Sequence, residues 1–225
     1  MKRSMIAIGV IGMMFGPWGN ALVPEGYQGK PFEDSVYHGG PQTIPGRLQC
    51  AYFDLGGEGV AYHGDGINHG SGELNQKPDH QRPHATPYFW NFRKDEGVSV
   101  SYTKDFADFN HPGPVPFTPE TNQLYVGWTK DGQWVNYTVN VKTPGTYKIV
   151  ALYANNATTV TFSLNHKVAS QCKLPVPTGG FHTWNRAEIG EITFPEAGLQ
   201  LLTFNYGVGN NFAYFDFVPE PPPTH

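Results

Sequence analysis

Two tryptophans are the residues of this chain with the most specific chemistry to offer. Trp128 and Trp134 flank a turn in "GWTKDGQWVNY" (127–137). An indole ring needs a core around it or a flat apolar partner over it, and its N–H needs an acceptor. Other residues have a wider chemical range. Glycosidic hydrolysis uses two carboxylates about 5 Å apart for retention, or roughly 6.5–9.5 Å for inversion. Glu58, Asp65, Asp131, Glu188 and Glu191 are of the right type, but nothing in the sequence pairs them. Asp131 precedes Gly132 and reads as a turn residue, while Glu188 and Glu191 alternate with apolar neighbours as a solvated strand face. The run "HGDGINHG" (63–70), with His80 and His84 beyond it, has metal-ligand residue types without ordered ligand spacing. No nucleophile elbow or zinc-protease helix motif is present.

The elements that carry these residues read as strands. "GVSVSYT" (97–103), "NQLYVGW" (122–128), "QWVNYTVNV" (133–141), "TYKIVALYA" (146–154), "TVTFSLN" (159–165), "RAEIGEITF" (186–194), "LQLLTFNYG" (199–207) and "NFAYFDFV" (211–218) alternate apolar and polar positions. "TKDGQ", "KTPG", "LNHK" and "PEAG" between them have turn chemistry. Many short strands without internal repeats predict an antiparallel β-sandwich, or jelly roll, an all-β fold. Two long polar, Pro-rich insertions interrupt the rhythm, 64–90 and 104–121.

Alternation also sorts the tryptophans. In 133–141, Val135, Tyr137, Val139 and Val141 share the core face, so Trp134, Asn136, Thr138 and Asn140 share the outer one. An aromatic ring on a polar face suits a sugar, whose C–H face stacks on the ring while amides bond its hydroxyls. The competing expectation is that the 64–90 insertion folds over Trp134 with Phe89 or Trp90. Trp128 falls at the sandwich rim, where loops carry sites. Trp184 opens a strand containing Ile189 and Ile192 and is expected in the core, whereas Phe181, in a Gly-rich loop, is less easily explained by packing.

The ends and the composition bound the setting. "MKRS", the apolar run "MIAIGVIGMMFGPW" and "GNA" have the layout of a secretory signal peptide over 1–21, which places the mature chain outside the cell or in the periplasm. An extended leader (22–43), a domain (44–218) and a Pro-rich tail (219–225) follow. No later stretch approaches the roughly 20 apolar residues of a spanning helix, so no membrane insertion is expected after signal removal. Net charge is −4, with charged residues at 15% and no basic stripe. Nucleic acid and anionic membranes are therefore poor partners. Cys50 and Cys172 read as two buried thiols, with a disulfide closing a loop of about 120 residues as the alternative.

Four segments together resemble a family 6 carbohydrate-binding module: "IPGRLQCAYFDLGGEGVAYH" (44–63), "GWTKDGQWVNYTVNVKTPGTYKIVALYA" (127–154), "TGGFHTWNRAEI" (178–189) and "GVGNNFAYFDFV" (207–218). The resemblance implies a jelly roll that binds glycans without cleaving them. It implies a rim cleft in which a sugar lies between two aromatics beside an Asn, here Trp128, Phe181 and Asn211. It also implies a second site on the concave sheet face, to which Trp134 contributes. The acidic pair that helps hold the family's structural calcium is replaced by Gln49 and Ala51. That leaves Gln49 and Asp216 as the remaining metal candidates and makes a protein without a cofactor the expectation. The expected partner is a polysaccharide, a plant or algal cell-wall glycan. A jelly-roll glycoside hydrolase or polysaccharide lyase, and a structural or adhesive surface protein, are the alternatives.

Overall fold

The computed structural model describes residues 23–75, 86–103 and 117–220. The signal segment 1–21, His80 and His84, much of the second insertion and the end of the tail lie outside these residues. No helix among the described residues is long and apolar enough to cross a membrane.

The strands form two facing sheets. One runs β1 (Gln42–Ile44), β6 (Trp134–Val141), β11 (Gly198–Asn205), β8 (Thr159–Leu164) and β9 (Lys167–Lys173), with β3 (Tyr62–His63) beside the start of β6. The other runs β10 (Trp184–Phe194), β7 (Gly145–Asn155), β12 (Asn210–Pro219), β5 (Leu124–Val126) and β4 (Val100–Tyr102), with β2 (Gly46–Gln49) beside the C-terminal half of β12. All these pairings are antiparallel except β1 on β6. The expected all-β sandwich is the observed fold.

Alternation fixes the core. Val135, Tyr137, Val139 and Val141 of β6 are buried between the sheets, as their spacing requires. Phe162, Phe204, Phe212 and Phe215 meet at its centre with ring centroids 4.7–6.1 Å apart, mostly edge to face. Strict alternation along β12 would send Phe212 to one face and Phe215 and Phe217 to the other. A bulge between Phe212 and Tyr214 shifts the phase by one, so all three phenylalanines enter the same core.

The sequence pattern missed β9. Its "KVASQCK" has a single buried residue, Cys172, because it is an edge strand paired only to β8. Cys50 and Cys172 are free buried thiols, and burial pushes both above the ordinary thiol range.

The leader is docked on the domain instead of extending from it. Phe32 is buried and stacks on Tyr37 and Tyr52, with Phe92 at its edge. Lys30 and Leu55 exchange backbone hydrogen bonds, and Gln42–Ile44 is already strand β1. These contacts escape a periodicity reading because they join an irregular segment to another irregular segment.

Asp54 ties leader to sheet. Its buried carboxylate accepts from Tyr27 Oη at 2.8 Å, Thr138 N at 2.8 Å and Thr138 Oγ1 at 2.7 Å. Burial raises its pKa above the ordinary carboxylate value, against the lowering effect of those hydrogen bonds. With the folded-state value above the unfolded one, the stability Asp54 contributes is full below about pH 4 and is lost as pH rises through the folded value. Asp54→Asn cannot titrate, so the variant should lack this fall. Chemical denaturation of both proteins from about pH 3.5 to about pH 7 measures it. Parallel stability profiles would assign the dependence to other groups.

Candidate functional site

Trp128 and Phe181 come from two separate loops and Asn211 from the start of β12, and the three meet at one end of the sandwich. They line a cavity of about 360 Å³ together with His69, Tyr125, Thr129, Lys130, His182 and Gly209. Trp128 follows β5 in a left-handed backbone conformation, φ 53°. Its half-buried ring packs on a small second core on the outer face of the second sheet, made of Tyr125, Leu152, Ala154, Trp184, Ala213 and Tyr214. Trp184 is therefore buried as expected, but in this satellite cluster and not between the sheets. Phe181 is 49% exposed, an uncovered ring at the cleft mouth.

Asn211 acts here as a brace. Its Nδ2 donates to Phe181 O at 2.6 Å, and the residue is only 3% exposed. Its Oδ1 lies where a Cβ on residue 127 would come within 2.5 Å, so Gly127 is the side-chain-free position that lets the amide pack. The surrounding loops brace one another in the same way. Thr129 Oγ1 donates to Gly207 O at 2.7 Å and accepts from Asn210 N at 2.9 Å. Asn155 Nδ2 donates to Gly209 O at 2.7 Å, and Thr178 Oγ1 accepts from Asn155 N at 2.7 Å. The rings are thus held in place before any ligand arrives.

His69 comes from the first insertion and lines the same cleft, its ring 6.4 Å from Trp128 and tilted by 38°. Nδ1 pairs with Glu73 at 2.7 Å, while Nε2 is 3.4 Å from Asp65. Its hydrogen bond to the Glu73 carboxylate, then the charges of Asp65 and Glu73, outweigh partial burial and raise its pKa above the ordinary histidine value. Lys130 Nζ sits 2.7 Å from Asp65. Motif matching overlooked His69 as a cleft residue because it was grouped with possible metal ligands. Among the described residues no group of three or more His, Cys, Asp or Glu is placed to hold a metal ion. Tyr125 was legible in principle: with Leu124 and Val126 facing the core, alternation turns it outward.

The sequence-derived carboxylates are dispersed. Glu58 binds His63 at 2.5 Å, and Glu188 pairs with Lys148 at 3.2 Å. Asp131 and Glu191 are exposed. None of them, nor Asp65, lines the Trp128 cleft.

Trp134 lies on the outer, concave face of the first sheet and lines a second cavity of about 540 Å³. Two cross-strand rows form its floor: Trp134, Asn205 and Thr161, then Asn136, Thr203 and Ser163. No described residue of the first insertion lines the Trp134 cavity. Phe89 instead packs towards Tyr88 and Tyr102, beside the second sheet. The leader borders Trp134, through Glu25, Gly26, Tyr27 and Gln28. The expectation that Asn136 and Thr138 offer themselves to hydroxyls is also corrected. Asn136 Nδ2 donates to Val60 O at 2.8 Å and its Oδ1 accepts from Thr203 Oγ1 at 2.6 Å, while Thr138 is engaged by Asp54.

The fold is thus a two-sheet β-sandwich with one aromatic-lined cavity at its rim and another on the outer face of the first sheet. The sequence profile of carbohydrate binding module family 6 matches residues 95–219, and the chain belongs to that family. Its structure is similar to that of a family 6 module from Clostridium stercorarium in complex with cellobiose, at 15% identity and a TM-score of 0.47, covering 81% of this chain and 99% of that one. It is also similar to a β-1,3-glucan-binding family 6 module from Bacillus halodurans, at 15% identity and TM-score 0.45, covering 79% and 98%. A third is the carbohydrate-binding module of Cellvibrio mixtus lichenase 5A in complex with cellotriose, at 20% identity and TM-score 0.42, covering 56% and 88%. No curated protein matches the chain.

The residues at the calcium position do not fit calcium. Asp216 Oδ1 accepts from Arg47 Nε at 2.7 Å, and its Oδ2 accepts from Arg47 Nη2 at 3.0 Å and Arg186 Nη2 at 2.8 Å. Burial alone would raise the Asp216 carboxyl, but hydrogen bonds from the two arginines and their charges hold it below the usual range. Gln49 Oε1 accepts from Gln123 Nε2 at 2.8 Å, and the Ala51 side chain has no ligating atom. Hard cations take several oxygens, whereas this carboxylate is already neutralised by two guanidiniums. Gln49 and Asp216 are therefore not assembled as ligands. Arg47 and Arg186 instead join β2, β12 and β10 through Asp216. A chelator should leave the thermal unfolding midpoint unchanged. Asp216→Ala should cost about 1–2 kcal/mol, less than a fully buried pair because both arginine side chains are 39% exposed. A fall in the midpoint on chelation, reversed by calcium, would restore a metal to the fold.

Proposed function

We propose that the chain is a secreted, non-catalytic module that binds polysaccharide by stacking sugar rings in the rim cleft. Trp128 and Phe181 are the platforms, and Asn211 sets their spacing. Trp134 supplies a second contact surface on the concave face. The carrying observation is the convergence of Trp128, Phe181 and Asn211 on one cavity, with the supporting loops already hydrogen-bonded to one another. Membership of a family of binding modules supports binding without cleavage. The basic and apolar start of the chain supports export to the periplasm or beyond, and residues 44–218 are the binding domain with the leader docked on it. A plant or algal cell-wall glycan is the partner class, consistent with an aromatic-lined cleft.

Stacking one sugar between two rings buries roughly 100–150 Å² of apolar area, worth about 2.5–4 kcal/mol at ~25 cal/mol/Å². With a few hydrogen bonds, the dissociation constant should fall on the order of 10 μM to 1 mM. Phe181→Ala is the cleanest test, because the ring is half exposed and its loss should change stability by less than about 0.5 kcal/mol. It should weaken retention on a polysaccharide affinity gel about tenfold. Trp128→Ala should reduce retention to what the Trp134 face alone supports and, because that ring packs on the satellite cluster, cost about 1–2 kcal/mol. Unchanged retention in both variants would remove the rim cleft from the function. Assay of released reducing ends checks the non-catalytic reading, and sustained release by the purified chain would overturn it.

A further inference from the structure

The leader contributes a wall to the concave cleft, and that wall bears on which glycans enter. Part of the cleft floor is already engaged by the protein: Asn136 has its amide on Val60 and its carbonyl on Thr203, and Thr203 uses its hydroxyl proton in the latter bond. The rest of the floor is the Trp134 ring, a platform that any sugar of suitable shape can cover, with Asn205 and Ser163 beside it. Selection by the shape of a chain falls to the sides. One side is formed by the β8–β9 turn, with His166 exposed. The other is formed by Glu25–Gln28, where Glu25 and Gln28 are exposed and Tyr27 is half-buried.

This second wall is built into the fold. Tyr27 Oη donates to the buried Asp54 carboxylate at 2.8 Å, and the same carboxylate holds Thr138 on floor strand β6. Tyr27 N closes a turn onto Pro24 O at 3.1 Å, and the Lys30–Leu55 bonds fix the segment's far end. Wall and floor thus share one anchor, so their separation is set by the fold. All of these leader residues lie before the 95–219 region that defines the family.

We infer that Tyr27 is a specificity-determining residue of the concave cleft, held by Asp54 as a positioning residue, and that the wall admits an unbranched glycan chain while excluding one whose branches project towards residues 25–28. The inference rests on the reading of the Trp134 face as a glycan contact. A wall selects by clash: a branch must displace the anchored segment, whereas an unbranched chain need not.

The test uses the full chain carrying Trp128→Ala, which removes the rim cleft as a competitor. The probes are matched pairs: a linear β-1,4-glucan oligosaccharide against xyloglucan oligosaccharide, and linear against 1,6-branched β-1,3-glucan. Affinity electrophoresis and calorimetry should show a preference of about tenfold or more for the linear member of whichever pair binds. Tyr27→Ala should bring the two members within about threefold by strengthening the branched one. Glu25→Ala with Gln28→Ala, at exposed positions that do not threaten folding, should narrow the preference in the same direction. Tyr27→Phe keeps the ring but frees the segment from Asp54, and should give an intermediate ratio. Trp134→Ala separates the two levels of the argument. If it leaves all binding unchanged, the concave-face reading fails. If it abolishes binding while the leader variants keep the wild-type linear-to-branched ratio, the wall is not selective and the inference fails alone.

Discussion

Strand β12 pairs with β7 along most of its length and slips by one residue at Ala213. That slip decides how one strand can serve two cores. Before it, Phe212 faces between the sheets, so Asn211 faces the rim cleft. After it, Phe215 and Phe217 face between the sheets, so Tyr214 and Asp216 face outward. The unpaired residue has a small side chain buried in the satellite cluster, and its carbonyl accepts from Cys50 N at 2.9 Å. Without the phase change, a strand keeping Phe212 inside would turn Phe215 and Phe217 out and Asp216 in, while one keeping Phe215 and Phe217 inside would turn Phe212 out and Asn211 in. The cleft follows from the same geometry, because Asn211 reaches Phe181 O only from the outer face.

The satellite cluster explains why the rim aromatics can be exposed without being loose. Trp184 and Tyr125 meet at 5.3 Å in an edge-to-face pair under the cleft, and Trp128 rests on the same cluster. A ring supported from below loses little rotamer freedom when a ligand covers its open face. Loops that bond to one another, as the Thr129, Asn155 and Thr178 loops do, add to this by holding the backbone. The first insertion joins the assembly through Asn68, whose Oδ1 accepts from Ser71 N and Val100 N at 3.0 Å, which holds the segment containing His69 beside the cleft.

Much of this was legible in the residues and some was not. Alternation in "QWVNYTVNV" placed Val135 and Tyr137 inside and Trp134 outside, because a period of two fixes the face once one side is buried. The Gly and Asn turns fixed the hairpins for an equally local reason. Trp128, Phe181 and Asn211 could be named through a family resemblance, but not the use of the Asn211 amide, which depends on a loop thirty residues away. The Tyr27–Asp54–Thr138 junction spans three segments with no periodic relation, so no pattern within a window could show it. The arginine pair on Asp216 illustrates the same limit: Arg186 and Arg47 are remote in sequence, and only the order β10-β7-β12 with β2 beside β12 brings them to one carboxylate. What a sequence conveys well is the face of a strand. Which polar groups face each other across strands depends on the sheet order.

The two clefts differ in how they divide platform from polar reading. At the rim, two rings come from opposing loops, and the buried amide between them holds the Phe181 backbone, which leaves stacking as the main attraction. On the concave face one ring lies within a sheet row, and Asn136 and Thr203 in the next row are engaged by the protein. In both places part of the hydrogen-bonding capacity that could read hydroxyls has been directed to holding the architecture. A buried amide left half-bonded until a ligand arrives carries a desolvation cost in the free protein, whereas one already paired carries none. Pre-pairing therefore favours a rigid free state and low ordering cost on binding, at the expense of the steep discrimination that unpaired buried polar groups would give. Under the proposed function, a module built this way would separate glycans by the shape its walls accept, with affinity set by the area its rings can cover.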